Sequence, residues 1–280
     1  MNKLKTVGIV DPIGLTSVNG INLSGKSTLV QGLGIAALYI EGFVFTDMSA
    51  IFKWHRDPAN KSPFMEAAII AKQLQEDTGK LAPDGLTIDC FVFFISWVKK
   101  TNGKIRHICI SGLPRTAYQL LEVMGMFPKM RMAYIYCAPE VLEENRLNRI
   151  KRGEGRIDDS PETFKDRCSL FYDTTFAEVI GPFEKAYKNS KRFIQINYSA
   201  NLESKLLALT YFMDIKLEER CSLRGQIQGK DTLVKKFIEH IEKPPKATHA
   251  ESIAKPDWPK AIISPWLPSP ALIAQVQATV

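Results

Sequence analysis

No C-x-x-C pair occurs anywhere in these 280 residues, and the five cysteines (Cys90, Cys109, Cys137, Cys168, Cys221) are odd in number and widely spaced. That argues against a zinc site and against a disulfide framework, and a reducing cytoplasm fits best. The four histidines, His55, His107, His240 and His249, have no partners at metal or triad spacing and receive no role. Long apolar runs are also missing: the stretch Cys90–Ile95 is far too short to span a bilayer. Behind Met1-Asn2-Lys3-Leu4-Lys5 no long apolar stretch follows, so neither a signal peptide nor a membrane partner is expected. Glycine is absent from residues 243–280, which hold seven of the 16 prolines. Proline removes backbone donors and blocks helix and sheet interiors. The segment therefore reads as an extended or disordered tail, with Trp258, Trp266 and Leu267 as the residues able to dock on something. What remains is ordinary for a globular chain: 45% apolar and 24% charged residues, long enough to bury a core without staples. The excess of 37 Lys and Arg over 30 Asp and Glu gives +7, a mild bias that phosphates or nucleic acid would both satisfy.

Residues 1–214 alternate short apolar runs with amphipathic stretches, the α/β pattern. Strands are expected at Leu15–Val18, Gly42–Phe45, Ile105–Ile110, Met132–Cys137 and Phe193–Asn197. Their apolar residues do not alternate cleanly, as when both sheet faces are covered. Helices are expected from Gly25–Thr28 to about Tyr39, from Ser62-Pro63 to near Gly79, from Asp84 to near Lys100, from Thr116 onward and from Pro139 to near Arg152. A further one runs from Ser160-Pro161 to about Lys188, interrupted at Pro182. Strand–helix–strand order with short links implies a parallel sheet, five-stranded here. Beyond it, residues 215–242 read as a helical extension, with apolar spacing from Asp231 to Ile241.

Gly20-Ile21-Asn22-Leu23-Ser24-Gly25-Lys26-Ser27 fits G-x-x-x-x-G-K-[ST], between an apolar strand and an amphipathic helix. Such a loop curls so that backbone N–H groups point at an oxyanion, and the next helix adds its positive end. Lys26 would reach the β and γ phosphates and the Ser27 hydroxyl would ligate Mg²⁺. Gly20, Asn22, Leu23, Ser24, Gly25, Lys26, Ser27 and Thr28 are the candidate ATP-binding residues. The motif alone means only that a nucleoside triphosphate is bound.

Three further segments narrow this. Ile108-Cys109-Ile110-Ser111-Gly112-Leu113-Pro114-Arg115-Thr116-Ala117-Tyr118-Gln119 resembles the adenylate kinase signature, three apolar residues followed by D-G-[FY]-P-R-x-x-x-Q. Gly79-Lys80-Leu81-Ala82-Pro83-Asp84 is similar to the G-x-L-V-P-D of that family. Residues 152–163, Arg-Gly-Glu-Gly-Arg-Ile-Asp-Asp-Ser-Pro-Glu-Thr, with Arg167 following, resemble its short-lid pattern. The segments occur in family order over about residues 15–212. The resemblance implies a P-loop three-layer α/β fold with a five-stranded parallel sheet. It also implies a small acceptor-binding insertion at about 46–84 and a short lid at about 146–160. The implied activity is transfer of the γ-phosphoryl group of MgATP to a nucleoside monophosphate, AMP by default; the chain is expected to be cytoplasmic and a monomer. By resemblance Arg115 takes the acceptor's phosphate. Arg152, Arg156 and Arg167 take the transferring group, with Arg152 also on ATP and Asp158 and Asp159 holding lid arginines. The resemblance also places Thr46, Asp47, Lys53, Lys80, Leu81, Ala82, Gly112, Gln119, Arg156 and Arg167 around the acceptor. Arginines closing over phosphates are what this chemistry needs, since it consists mostly of positioning and charge neutralisation.

Each assignment has a plainer rival. Arg146, Arg149, Arg152 and Arg156 would also make a solvated basic helix face, and Arg167 would pair with a carboxylate such as Glu162. Thr116 and Gln119 form a T-x-x-Q capping box, a structural role sufficient by itself. Cys109 and Cys137 read as core strand residues. The chain also departs from the family. Ser111 stands where the family has an aspartate that holds Mg²⁺ through its water. Ala50 stands where it has an arginine clamping the acceptor phosphate. Lys53, one helical turn on, is the substitute, as a point charge without the planar fork, and Arg56 a poorer one. These departures feed a second reading: a relative that binds nucleotides with little or no turnover, its tail the interaction element. A nucleic-acid-binding ATPase has only the +7 charge behind it and ranks last.

Overall fold

The computed structural model describes residues 13–36, 42–78, 80–102, 105–151, 153, 160–199 and 202–215. The lid residues Arg152, Arg156, Asp158 and Asp159, the extension from residue 216 and the proline-rich tail lie outside them, as does Gly79.

Five strands make one sheet: β1 Gly14–Gly20, β2 Phe43–Asp47, β3 His107–Ser111, β4 Arg131–Tyr136 and β5 Phe193–Asn197. All four pairings are parallel, in the order β2-β3-β1-β4-β5. The helices between them are α1 Lys26–Ala36, α2 Met48–Arg56, α3 Met65–Thr78, α4 Asp84–Asn102, α5 Ala117–Met126, α6 Pro139–Lys151, α7 Pro161–Leu170, α8 Gly181–Tyr187 and α9 Leu202–Phe212. Among the described residues, no helix is long and apolar enough to cross a membrane.

Both sheet faces are covered, which is why the strands read as nearly continuous apolar runs. On β3, Ile108 and Ile110 point to one layer with Ile51, Phe91, Leu120 and Phe183. Cys109, between them, points to the other with Leu29, Val30, Leu33 and Leu209. On β4, Met132 and Tyr134 join the first layer while Ala133 and Ile135 join the second. Phe91 and Phe183 are fully enclosed, and each such ring contributes about 1.5–3 kcal/mol by leaving water.

Several element boundaries differ from the sequence expectation. The helix foreseen from Ser62-Pro63 begins at Met65, because Ser62 spends its hydroxyl on the Phe64 N–H (3.1 Å) and on His55, making a turn first. The interruption expected at Pro182 is not a break. A π-helical stretch, Phe171–Ile180, joins α7 to α8, with the Gly181 N–H reaching the Phe176 carbonyl five residues back. The wider turn passes a proline that has no N–H to give the ladder. Helices α2 and α9 were not foreseen.

The parallel arrangement fixes where chemistry occurs. Every strand ends on the same edge, so the loop after Gly20, the β2 terminus Asp47, the segment from Ser111, Cys137 and Tyr198 gather there. β1 lies between β3 and β4, where the connections part to opposite sides of the sheet. That is the crevice in which open α/β sheets bind ligands.

Candidate active site

The loop Ile21–Gly25 leaves the central strand and turns directly into α1. Gly20 permits this because a Cβ there would lie 2.7 Å from Ser24 Oγ and 2.8 Å from the Ile135 carbonyl. Ser24 N–H closes the turn on the Ile21 carbonyl (3.2 Å). Ser24 is 1% exposed, and its hydroxyl has no hydrogen-bond partner among the described residues. A buried hydroxyl without a partner costs free energy, so it marks a place where an outside acceptor or donor would be welcome.

Lys26 opens α1 and folds back so that Nζ donates to the Ile21 carbonyl at 2.5 Å. Burial, and the Arg115 charge nearby, pull it down to about 7. Arg115 itself is lowered by burial, offset in part by the carboxylate of Asp47. The guanidinium lies against Gly112, where a Cβ would be 3.0 Å from Nη2 and where φ of +80° favours glycine. Two cations share one small space at the mouth of a loop. The arrangement can neutralise a multiply charged anion, and it is electrostatically uncomfortable without one. Ser27 and Thr28 are exposed on the first turn of α1, and Asn22 is exposed on the loop.

On the acceptor side, Thr46 and Asp47 end β2, and Asp47 Oδ1 accepts from the Ala50 N–H (2.8 Å), capping α2. Ala50 and Lys53 are both exposed, three residues apart on one helix face, while Arg56 is half-buried. Asp47 and Ser111 are neighbours across the β2–β3 ladder, and Ser111 is 2% exposed. Lys80 is exposed and Leu81 and Ala82 half-buried just before α4. Arg167 is half-buried on α7.

Gln119 corrects the simple capping box. Thr116 Oγ1 does accept from the Gln119 N–H at 3.3 Å. The Gln119 side chain, however, accepts from the Arg115 N–H (2.8 Å) and donates to Asp84 Oδ1 (2.7 Å). Thr116 Oγ1 donates to Asp84 Oδ2 (2.9 Å). Asp84 sits close enough to draw the amide away from the box, and it ties α4 to the Arg115 segment. Glu178 completes that corner by accepting from the Ala117 N–H (3.2 Å). The solvated-face reading fails for Arg146, which is 5% exposed and forks onto Glu143 (2.8 and 2.5 Å) beneath Phe164.

The described histidines are structural. His55 Nε2 meets the Cys90 carbonyl (2.9 Å) and His107 Nε2 meets Thr16 Oγ1 (2.9 Å). Burial and the Arg131 charge take His107 down to about 4. Cys109 and Cys137 are buried, as read from the sequence, and burial raises both thiols. Sequence reasoning missed Asn145 and Tyr198, which touch the loop. Their only signal was position, one in the helix before the lid and one just past the last strand.

No family model matches the chain. The resemblance carried by the motifs is nevertheless borne out by curated relatives. An adenylate kinase of Bacteroides thetaiotaomicron is 33% identical over 125 residues, 43% of this chain and 61% of its own. One of Phocaeicola vulgatus is 31% identical over the same shares. One of Thermosynechococcus vestitus is 24% identical over 151 residues, 50% of this chain and 73% of its own. The chain thus spans about three fifths of the length of the first two. Among solved structures, an unliganded sugar kinase from Janibacter sp. HTCC2649 aligns over 75% of this chain and 98% of its own, at 15% identity and a TM-score of 0.45.

Proposed function

We propose that this chain is a nucleoside monophosphate kinase of the adenylate kinase type, which moves the γ-phosphoryl group of ATP onto a monophosphate, AMP by default. The observation that carries the reading is the pair of half-buried cations, Lys26 and Arg115, at the loop where the central strand ends, whose buried Ser24 hydroxyl has no hydrogen-bond partner among the described residues. Lys26 lies where a triphosphate in the loop would place its β and γ groups, and Arg115 where the acceptor's phosphate would meet them. Transfer between two nucleotides brings many negative charges together, and these two groups offset that charge. Arg152, Arg156 and Arg167 complete the neutralisation in this reading, with Asp158 and Asp159 supporting the first two. Thr46, Lys53, Lys80, Leu81, Ala82 and Gly112 shape the acceptor side. Closing residues 152–159 over the phosphates would exclude water and prevent hydrolysis.

Mg²⁺ fits this donor set. The Ser27 hydroxyl, on the first turn of α1, and the Asp47 carboxylate, at the end of β2, are hard oxygens on the edge of the sheet where the strands end. Mg²⁺ is usually held by one or two such groups and the phosphates rather than by a protein cage. Among the described residues no group of three or more His, Cys, Asp and Glu is placed to hold an ion. When bound, Mg²⁺ supplies charge neutralisation on the phosphate oxygens.

The test is a coupled assay of the purified chain with MgATP and each monophosphate, repeated on Lys26→Ala and Arg115→Ala. Turnover in the wild type, with each variant down by a factor corresponding to about 2–4 kcal/mol, is the expected result. Full activity in both variants would sink the reading. Buried Ser111 in place of a carboxylate, and exposed Ala50 in place of a clamp, favour a second one. In that reading nucleotides bind without turnover, and the same assay is silent for every monophosphate while MgATP still binds.

A further inference from the structure

Leu23 sits at φ +66°, a left-handed conformation that is unfavourable for a residue with a Cβ and persists only where its surroundings hold it. Two things hold it. Its side chain packs with Ile21, Cys137 and Leu142. Its carbonyl accepts a hydrogen bond from Asn145 Nδ2, on α6, at 3.1 Å. The other end of the Asn145 amide is fixed too, because Oδ1 accepts from the Tyr198 hydroxyl at 3.0 Å. Reversing the amide would face its oxygen towards the Leu23 carbonyl, so the two contacts set one orientation. Tyr198 is in turn pinned by Lys205 of α9, whose Nζ donates to the Tyr198 carbonyl (3.0 Å) and lies 4.6 Å from the ring centroid. The Tyr198 ring also walls the loop: a Cβ on Gly25 would meet it at 3.5 Å.

Three separate parts of the chain therefore converge on one strained peptide: α6, the turn after β5, and α9. We propose that Asn145, oriented by Tyr198, is a positioning residue that holds the Leu23 peptide left-handed. The N–H groups of residues 25–27, at the start of α1, then converge on a phosphate before the ligand arrives, while the Ser24 N–H keeps the turn closed on the Ile21 carbonyl. The proposal rests on the nucleotide-binding reading above. It goes further in saying which side chains outside the loop set its shape, and why a leucine is tolerated there. A loop already in its bound shape does not spend binding energy on ordering itself.

The experiment measures MgATP affinity of the full chain by titration calorimetry, alongside urea unfolding. Asn145→Ala weakens binding by about three- to tenfold, the range of one ordinary hydrogen bond. Tyr198→Phe, which keeps the ring, weakens it in the same direction by less. Leu23→Gly frees the left-handed backbone of steric cost. In the Leu23→Gly background, Asn145→Ala should change affinity by less than about twofold, a coupling read from the double-mutant cycle. A merely stabilising contact would lower the urea midpoint equally in both backgrounds and leave affinity uncoupled. Where the alanine variant unfolds, Asn145→Leu fills the same volume and gives the same readout. Wild-type affinity in Asn145→Ala, or additive effects of the two substitutions, overturns the proposal alone. Absence of MgATP binding by the wild type overturns the nucleotide reading and this inference with it.

Discussion

Lys26 carries two penalties on its charge, burial and the neighbouring Arg115, and titrates near 7 as a result. As pH rises through that value the free protein loses the charge, whereas a bound polyphosphate favours keeping it. Binding at alkaline pH must then take up a proton. MgATP affinity is expected to fall between about pH 6 and about pH 8.5, with proton uptake visible as a buffer-dependent binding enthalpy. Lys26→Arg, charged throughout, should flatten the dependence. An affinity in the wild type that ignores pH over this range would count against the two-cation site. The sign for stability runs the other way. Between about 7 and the ordinary value of 10.5 the unfolded chain binds more protons at this position, so its penalty on the fold relaxes as pH rises. Ser111 allows a second test. It stands beside Asp47 across the ladder, so a carboxylate placed there meets one already present. Ser111→Asp is expected to slow turnover. A gain of about tenfold, the scale of a metal's outer partners, would instead show that serine leaves the metal's water unheld.

At the scale of elements, Asp84 joins α4 to α5 through Thr116 and Gln119. Asp84→Ala removes both bonds and leaves the buried Gln119 amide one partner short. It should cost about 2 kcal/mol, read as a lowered urea midpoint with an unchanged slope. A shift below a quarter of that would mean the strap carries no load. This strap shows what the sequence could not disclose. The T-x-x-Q spacing was visible, but a carboxylate more than thirty positions away decides where the amide points. The strands were legible because both faces of a parallel sheet demand apolar residues; Phe193–Asn197 was placed as read, and the others shifted by a residue or two at their ends. Helix α2 was not, although the Asp47 cap and the Met48, Ile51, His55 spacing signal it. Pro182 was read as a break because local rules forbid an α continuation, and the π register evades them. For the site, the loop and Arg115 announce themselves by motif. Asn145 and Tyr198 belong to no motif and meet the loop only through the fold.

For the whole molecule, Ile215 is buried beside Met213 and Leu209 and closes the second core layer. The segment 243–280, rich in proline and without glycine, is expected to be dispensable for chemistry. A chain ending at Glu242 should fold and bind MgATP as the full chain does. Loss of solubility or binding on that truncation would place Trp258 or Trp266 against the core. The sheet order has a different consequence, for synthesis. Of the five strands β1 emerges first from the ribosome, yet one neighbour, β3, begins at His107 and the other, β4, at Arg131. Until both have emerged, an apolar strand bearing Leu15 and Val18 has bare edges, and such strands aggregate while they wait. Ribosome-stalled chains ending shortly before Arg131 should therefore remain protease-sensitive and chaperone-bound, and those extending past Asn197 should not. The strand that carries the Ile21–Gly25 loop is the first of these five to be made and among the last of them to be enclosed.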